Sequence, residues 1–241
     1  AMNDTVTATN MQIQATTASN LAISADGTNF GTTMDLATKN NSGTVSKVLP
    51  VTVTEFTTVP TASLSGSVAG SPVTMSEGES IAFYTINEAN KIDDPNSADA
   101  TVTMATAITE STVTTNFTKD TGDNYISDDM WLLYTDASTP NADIDLVMTV
   151  KGTQAEINKA LHIGFIKDGK WYNYDLSTVS ESYDGGKYTF TLNDFINLTS
   201  GTSKKISIYA WYEGEDSDCT TNNALSNILQ IDLEYTISQG A

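Results

Sequence analysis

"KKISIYAWYEG" at 204–214 and "NILQIDLEYTI" at 227–237 decide the fold class. In the first, Ile206, Ile208 and Ala210 alternate with Ser207, Tyr209 and Trp211, and in the second the apolar positions run through Ile231, Leu233 and Tyr235. A period of two puts one set of side chains on each face of an extended chain, so both stretches read as long central strands. "ADIDLVMTVKG" at 142–152 points Ile144, Leu146 and Met148 inward, and "YISDDMWLLYTD" at 125–136 is a further strand. "HIGFIKDGKWYNYDL" at 162–176 reads as two strands joined across Asp168-Gly169, and Asp184-Gly185-Gly186 repeats the device before Tyr188, Phe190 and Leu192. Such Asp-Gly pairs favour the positive φ angles of tight hairpin turns.

Helix signals are few. "TQAEINKALH" at 153–162 places Ala155, Ile157, Ala160 and Leu161 on one face, with Thr153 three residues before Glu156 as a capping box. "LNDFINL" at 192–198 reads as one helical turn. Further back, Ile81 and Phe83 lie in a strand, Pro50 suits a strand start or sheet edge, and Val102, Met104 and Val113 have strand spacing in a threonine-rich stretch. "KIDDPNSADA" at 91–100 is an acidic loop, and Asp26-Gly27 is a turn. Many strands at short spacing predict an all-β fold, a jelly-roll-like antiparallel β-sandwich with one or two short helices. Residues 49–120 are the expected inserted irregular or β lobe, and no internal repeat is evident.

The chain of 241 residues carries 30 acids against 11 lysines and no arginine, a net charge of −19. Without guanidinium groups or a basic patch, phosphate backbones and anionic membranes are disfavoured partners. A single cysteine, Cys219, excludes a disulfide within the chain. The abundance of Thr, Ser, Asn and Gly points to an extracellular β-protein, and no run is long enough to span a membrane as a helix.

Catalytic signatures are absent. His162 is the only histidine, which rules out a His-rich zinc site, and a Cys219–His162 dyad has no nucleophile motif around it. No nucleophile elbow, P-loop or dinucleotide fingerprint occurs. No catalytic residues are assigned and no enzyme activity is expected. The acidic loops offer oxygen ligands, with Glu213, Asp216 and Asp218 as the candidate calcium set, although the ordered spacing of a calcium loop is missing. Trp131, Trp171 and Trp211, with Tyr134, Tyr172, Tyr174 and Tyr212, suit either core packing or a sugar-binding face.

The opening "AMNDTVTATNMQIQATTASNLAIS" at 1–24 alternates like a strand, with Val6 and Ala8 in one phase and Met11 and Ile13 in the other. The phase changes around Thr9 and Asn10, which predicts a bulge or crossover, since a one-residue slip swaps the apolar face. Chain ends fray unless a sheet ties them down. This strand therefore completes either its own domain or another molecule's.

Together with "KKISIYAWYEGEDSDCTTNNALSNILQIDLEY" at 204–235 and "INKALHIGFI" at 157–166, that opening resembles the TasA and camelysin-like secreted proteins of Gram-positive bacteria. The middle of the chain carries little of the likeness. The resemblance implies a jelly-roll subunit of an extracellular filament, in biofilm matrix or on a cell or spore surface, whose signal peptide has been removed. It also implies head-to-tail self-assembly by donation of an N-terminal strand, residues 1–15, into a neighbour formed by residues 16–241. Val6, Ala8, Met11 and Ile13 are then the inserted side chains. Camelysin-like proteins have been described as metallopeptidases, and this sequence has no recognisable zinc-binding helix. The alternative is a secreted monomeric β-sandwich binding carbohydrate or another surface ligand.

Overall fold

The computed structural model describes residues 6–39, 47–48, 52–54, 73–74, 81–86, 117–119, 125–151, 161–176, 182–184, 187–212 and 227–238. Sixteen strands run through them: β1 (Val6–Thr17), β2 (Leu21–Ser24), β3 (Thr33–Lys39), β4 (Lys47–Val48), β5 (Thr52–Thr54), β6 (Val73–Thr74), β7 (Ala82–Ile86) and β8 (Phe117–Lys119), then β9 (Ile126–Tyr134), β10 (Asn141–Lys151), β11 (Leu161–Lys167), β12 (Lys170–Asp175), β13 (Ser182–Asp184), β14 (Lys187–Thr199), β15 (Ser203–Tyr212) and β16 (Asn227–Ile237). The fold is all-β, with no helix among the described residues.

Two sheets face each other as a sandwich. The first has the order β13-β14-β10-β16-β1-β3, with β4 also paired to β1, and the second has the order β2-β9-β15-β11-β12-β6. The expected alternation holds where it is strongest. Ile144, Leu146 and Met148 of β10 and Ile206, Ile208 and Ala210 of β15 are all 0% exposed and belong to one core with Ile231, Leu233 and Tyr235. The two sheets also touch through a polar contact, in which the Tyr235 hydroxyl donates to Sδ of Met130 at 3.2 Å. Complete burial pushes the Tyr235 hydroxyl's pKa upward, so it stays protonated.

Turn chemistry fixes the hairpins. Asp168 and Gly169, at φ 49° and 68°, join β11 to β12 in the left-handed conformation their sequence suits. Within the region expected to form an insertion, β5, β7 and β8 make a separate three-stranded sheet, while β6 pairs with β12 at the edge of the second sandwich sheet.

The helical turn expected in "LNDFINL" is not formed, and the segment lies in β14. Leu192 pairs with Leu146 and Ile196 with Ile144, so the register shifts across a three-residue excursion that contains Asp194 at φ 50°. That bulge turns the adjacent Phe195 and Ile196 both into the interior, at 3% and 2% exposure. The Asp194 amide donates to Oδ1 of Asp145 at 2.9 Å. Of the helix expected over 153–162, residues 153–160 lie outside the described residues, and the last two positions, Leu161 and His162, begin β11. Pro50, Val102, Met104 and Val113 also lie outside them.

Leu146 sits between Leu192 and Tyr235 in the middle of the first sheet and is fully buried. Leu146→Ala leaves a cavity there and is expected to cost about 2–5 kcal/mol, read as a lower denaturant midpoint at unchanged slope.

Candidate functional site

The N-terminal strand occupies an interior position of its own sheet. It runs parallel to β16, from Ala8 opposite Asn227 to Thr17 opposite Tyr235, and antiparallel to β3 on its other side. Ile13 lies between Ile231 and Leu36, and Ala15 between Leu233 and Met34, with both 0% exposed. On the outer face, Gln14 Nε2 donates to Oδ1 of Asp35 at 3.0 Å. The residues after the strand are pinned. The Ala18 amide donates to the Tyr235 carbonyl at 2.9 Å, the Thr135 amide to the Asn20 carbonyl at 2.9 Å, and Asn20 takes φ 65°.

Upstream the strand is less uniform. Its register with β16 shifts between Ala8 and Asn10, where the sequence changes phase, and its register with β3 shifts between Met11 and Ile13. Beyond the first shift, Val6 and Thr7 pair with Val48 and Lys47 of β4. Of the four residues expected to insert, Ile13 is thus seated in its own chain's core. Val6, Ala8 and Met11 are placed by backbone register, their side chains being outside the described residues.

A second cluster lies on the outer face of the second sheet, against the three-stranded sheet. Phe83 of β7 stacks on Tyr125 at 4.0 Å between ring centroids and meets Trp211 edge-on at 5.2 Å, and Trp171 lies 6.0 Å from Trp211. His162 tilts against Trp211 at 5.5 Å. Trp171 and Trp211 are 1% and 0% exposed, so these two rings form no open platform for a sugar. Burial first, then Asp129 and Tyr125, holds the Tyr209 hydroxyl's pKa above its usual range.

Gly164 makes this packing possible. A Cβ there would lie 2.0 Å from Cη2 of Trp171, so the indole lies where a side chain would stand. Sequence reading passed over this glycine, although a glycine inside a strand pattern often marks such a close approach. Gly164→Ala is expected to displace the indole at a cost of about 1–3 kcal/mol. The checks are a red shift of tryptophan emission and partial recovery of the melting temperature in the Gly164→Ala, Trp171→Leu double variant.

Trp131, the remaining tryptophan, is half-buried: Gly27 lies against its ring and Lys205 stands 5.5 Å from the ring centroid. The Gly27 turn is organised by Asp26, which accepts hydrogen bonds from the Asn29 and Thr28 amides, each at 2.8 Å, and from the Ser24 hydroxyl at 2.8 Å. The amide of Asn29 first, then that of Thr28, holds the exposed Asp26 carboxyl well below the usual carboxylate range. A carboxyl with a depressed folded-state pKa stabilises fully above its unfolded value, near 4, and that contribution fades as pH falls through the folded value. The stability gap between wild type and Asp26→Ala is therefore expected to be constant from pH 7 to 5 and to shrink below pH 4 in denaturant titrations.

At the end of β11, Lys167 points its ammonium over Tyr172 at 4.0 Å and Phe195 at 4.6 Å. Burial lowers its pKa, with Asp168 opposing the shift. Among the described residues no group of three or more His, Cys, Asp or Glu side chains converges to hold a metal. Glu213, Asp216, Asp218 and Cys219 lie outside the described residues. No described helix is long and apolar enough to cross a membrane.

No family model matches the chain. No curated protein matches it either. A solved structure of AvmM, which catalyses macrocyclization in alchivemycin A biosynthesis, aligns with 48% of this chain and 82% of its own at 7% identity and a TM-score of 0.29. A likeness that slight carries no argument about fold or activity.

Proposed function

We propose that the chain is a structural subunit of an extracellular filament that grows by exchange of its N-terminal strand, as its resemblance to the TasA and camelysin-like proteins implies. One observation carries this reading. The first strand of the chain fills an interior slot between β16 and β3, and its leading part, beyond the register shift at Ala8–Asn10, runs on to β4. The same leading part from a neighbour fits its place along the start of β16 and β4 with the same hydrogen bonds, so exchange leaves the contact set unchanged. The contact is heterologous, with one surface giving and a different one receiving, and it propagates into a filament unless the rotation closes a ring.

In this reading the strand has two parts with different roles. Ile13 and Ala15 are resident, fixed in the core and followed by the pinned turn at Ala18–Asn20. The arm that changes hands is the part before them, with Val6, Ala8 and Met11 as its inserted side chains. An arm of this length offers several backbone hydrogen bonds at roughly 1 kcal/mol net each, plus about 1.5–3 kcal/mol for each large apolar side chain fully buried. Subunits of net charge −19 repel one another, so growth is favoured by salt. The subunit is secreted and acts through copies of itself, with no catalytic step.

Deleting residues 1–11 removes the arm and leaves Ile13 in place. By electron microscopy the full chain is expected to form filaments and the deletion variant none, while circular dichroism shows the variant folded. Mixed with full-length protein, the variant accepts an arm and offers none, so filaments should shorten in proportion to its fraction. Filaments unchanged in yield and length would overturn the proposal. Ile13→Asp is expected to lower the subunit's own melting temperature, because it buries a charge in the resident core.

A further inference from the structure

The outer face of the second sheet is covered unevenly. Trp211 is closed beneath Phe83, with Trp171 beside it, whereas Trp131 and Leu133, two apart on the same face of β9, stay half-exposed. Register sets Trp131 between Ser24 of β2 and Lys205 of β15. On the β2 flank the turn packs on the pyrrole ring: a Cβ at Gly27 would stand 3.2–3.3 Å from Nε1, Cδ1 and Cδ2 alike, as an atom lying over a ring face does. On the β15 flank Nζ of Lys205 lies 5.5 Å from the ring centroid, near the outer limit, about 6 Å, of attraction between a cation and a ring. Its ammonium is held instead by Oδ2 of Asp129 at 2.8 Å, and Oδ1 of Asp129 accepts from the Ser207 hydroxyl at 2.5 Å. The Lys205 and Asp129 side chains are 50% and 43% exposed, so a donor and an acceptor, both fixed and both open to solvent, stand beside a half-exposed indole.

We propose that the β15 flank of Trp131 is a subsite for a neutral carbohydrate. The C–H face of a sugar ring lies against the indole, one hydroxyl donates to Asp129 and a neighbouring hydroxyl accepts from Lys205. Charge selects against the other ligand classes: an anion meets Asp129 and a chain of net charge −19, and a cation finds its place over the ring already taken by Lys205. Sugars with equatorial hydroxyls, such as β-linked glucose and N-acetylglucosamine, present the flattest C–H face and fit best. The subsite lies on the outer face of the sheet, where a chain of such units has open access. It is separate from the N-terminal strand and does not depend on filament formation.

The test is isothermal titration of the full chain with cellohexaose and with chitohexaose, each taken to millimolar concentration. The wild type is expected to bind at least one of the two. Trp131→Ala removes the stacking surface and is expected to weaken that binding about tenfold. Lys205→Met keeps the apolar stem, opens no hole beside Gly27 and is expected to weaken it about threefold through the lost hydrogen bond, with an unchanged circular dichroism spectrum. A wild type that binds neither oligosaccharide would overturn the proposal. Binding that survives both substitutions at full strength would overturn it too, because the sugar would then sit elsewhere on the molecule.

Discussion

The parallel hydrogen bonding of the first strand to the last is the contact on which the first sheet depends. Parallel neighbours cannot be joined by a tight hairpin, so the partner of β1 has to arrive from the far end of the described chain. Until it does, β16 and β3 present two open edges and the core around Ile231 and Leu233 lacks Ile13 and Ala15. Such long-range closure is slow compared with hairpin formation, and the intermediate exposes unpaired strand edges.

The second sheet faces apolar surroundings on both sides, which explains a strand such as β11, where Leu161 to Phe165 are buried without a break. Its inner face belongs to the sandwich core, and its outer face carries Trp171, Trp211 and His162 beneath Phe83. Among the described residues the three-stranded sheet meets the sandwich through rings. Packing of this kind is geometrically selective, because Trp171 fits only while position 164 lacks a side chain.

Local pattern was the legible part of this fold. Alternation in β9, β10, β15 and β16, the Asp168-Gly169 turn and the phase change at Thr9–Asn10 are all written within a few residues of one another, and each has its counterpart in the structure. "LNDFINL" misled because Leu192, Phe195 and Ile196 have helical spacing, whereas a bulge at Asp194 produces the same inward set in a strand. Alternation also separates two faces without saying what covers each, so the tryptophans suited a core and a sugar platform equally well. The same limit applies to β1: its side chains announce a strand, and only non-local pairing shows which sheet holds it. Gly164 left no pattern at all, since its role arises from strands brought side by side.

Because β1 and β16 point the same way, Val6 lies beside the start of the last strand and Ile237 extends past the other end of the first. At about 3.3 Å per residue, the twelve residues of β1 span roughly 36 Å. The two described ends of the chain therefore leave from opposite poles of the sandwich. A fluorescent protein or enzyme fused beyond Ile237 would be carried at the pole remote from Val6, clear of the paired start of the first strand.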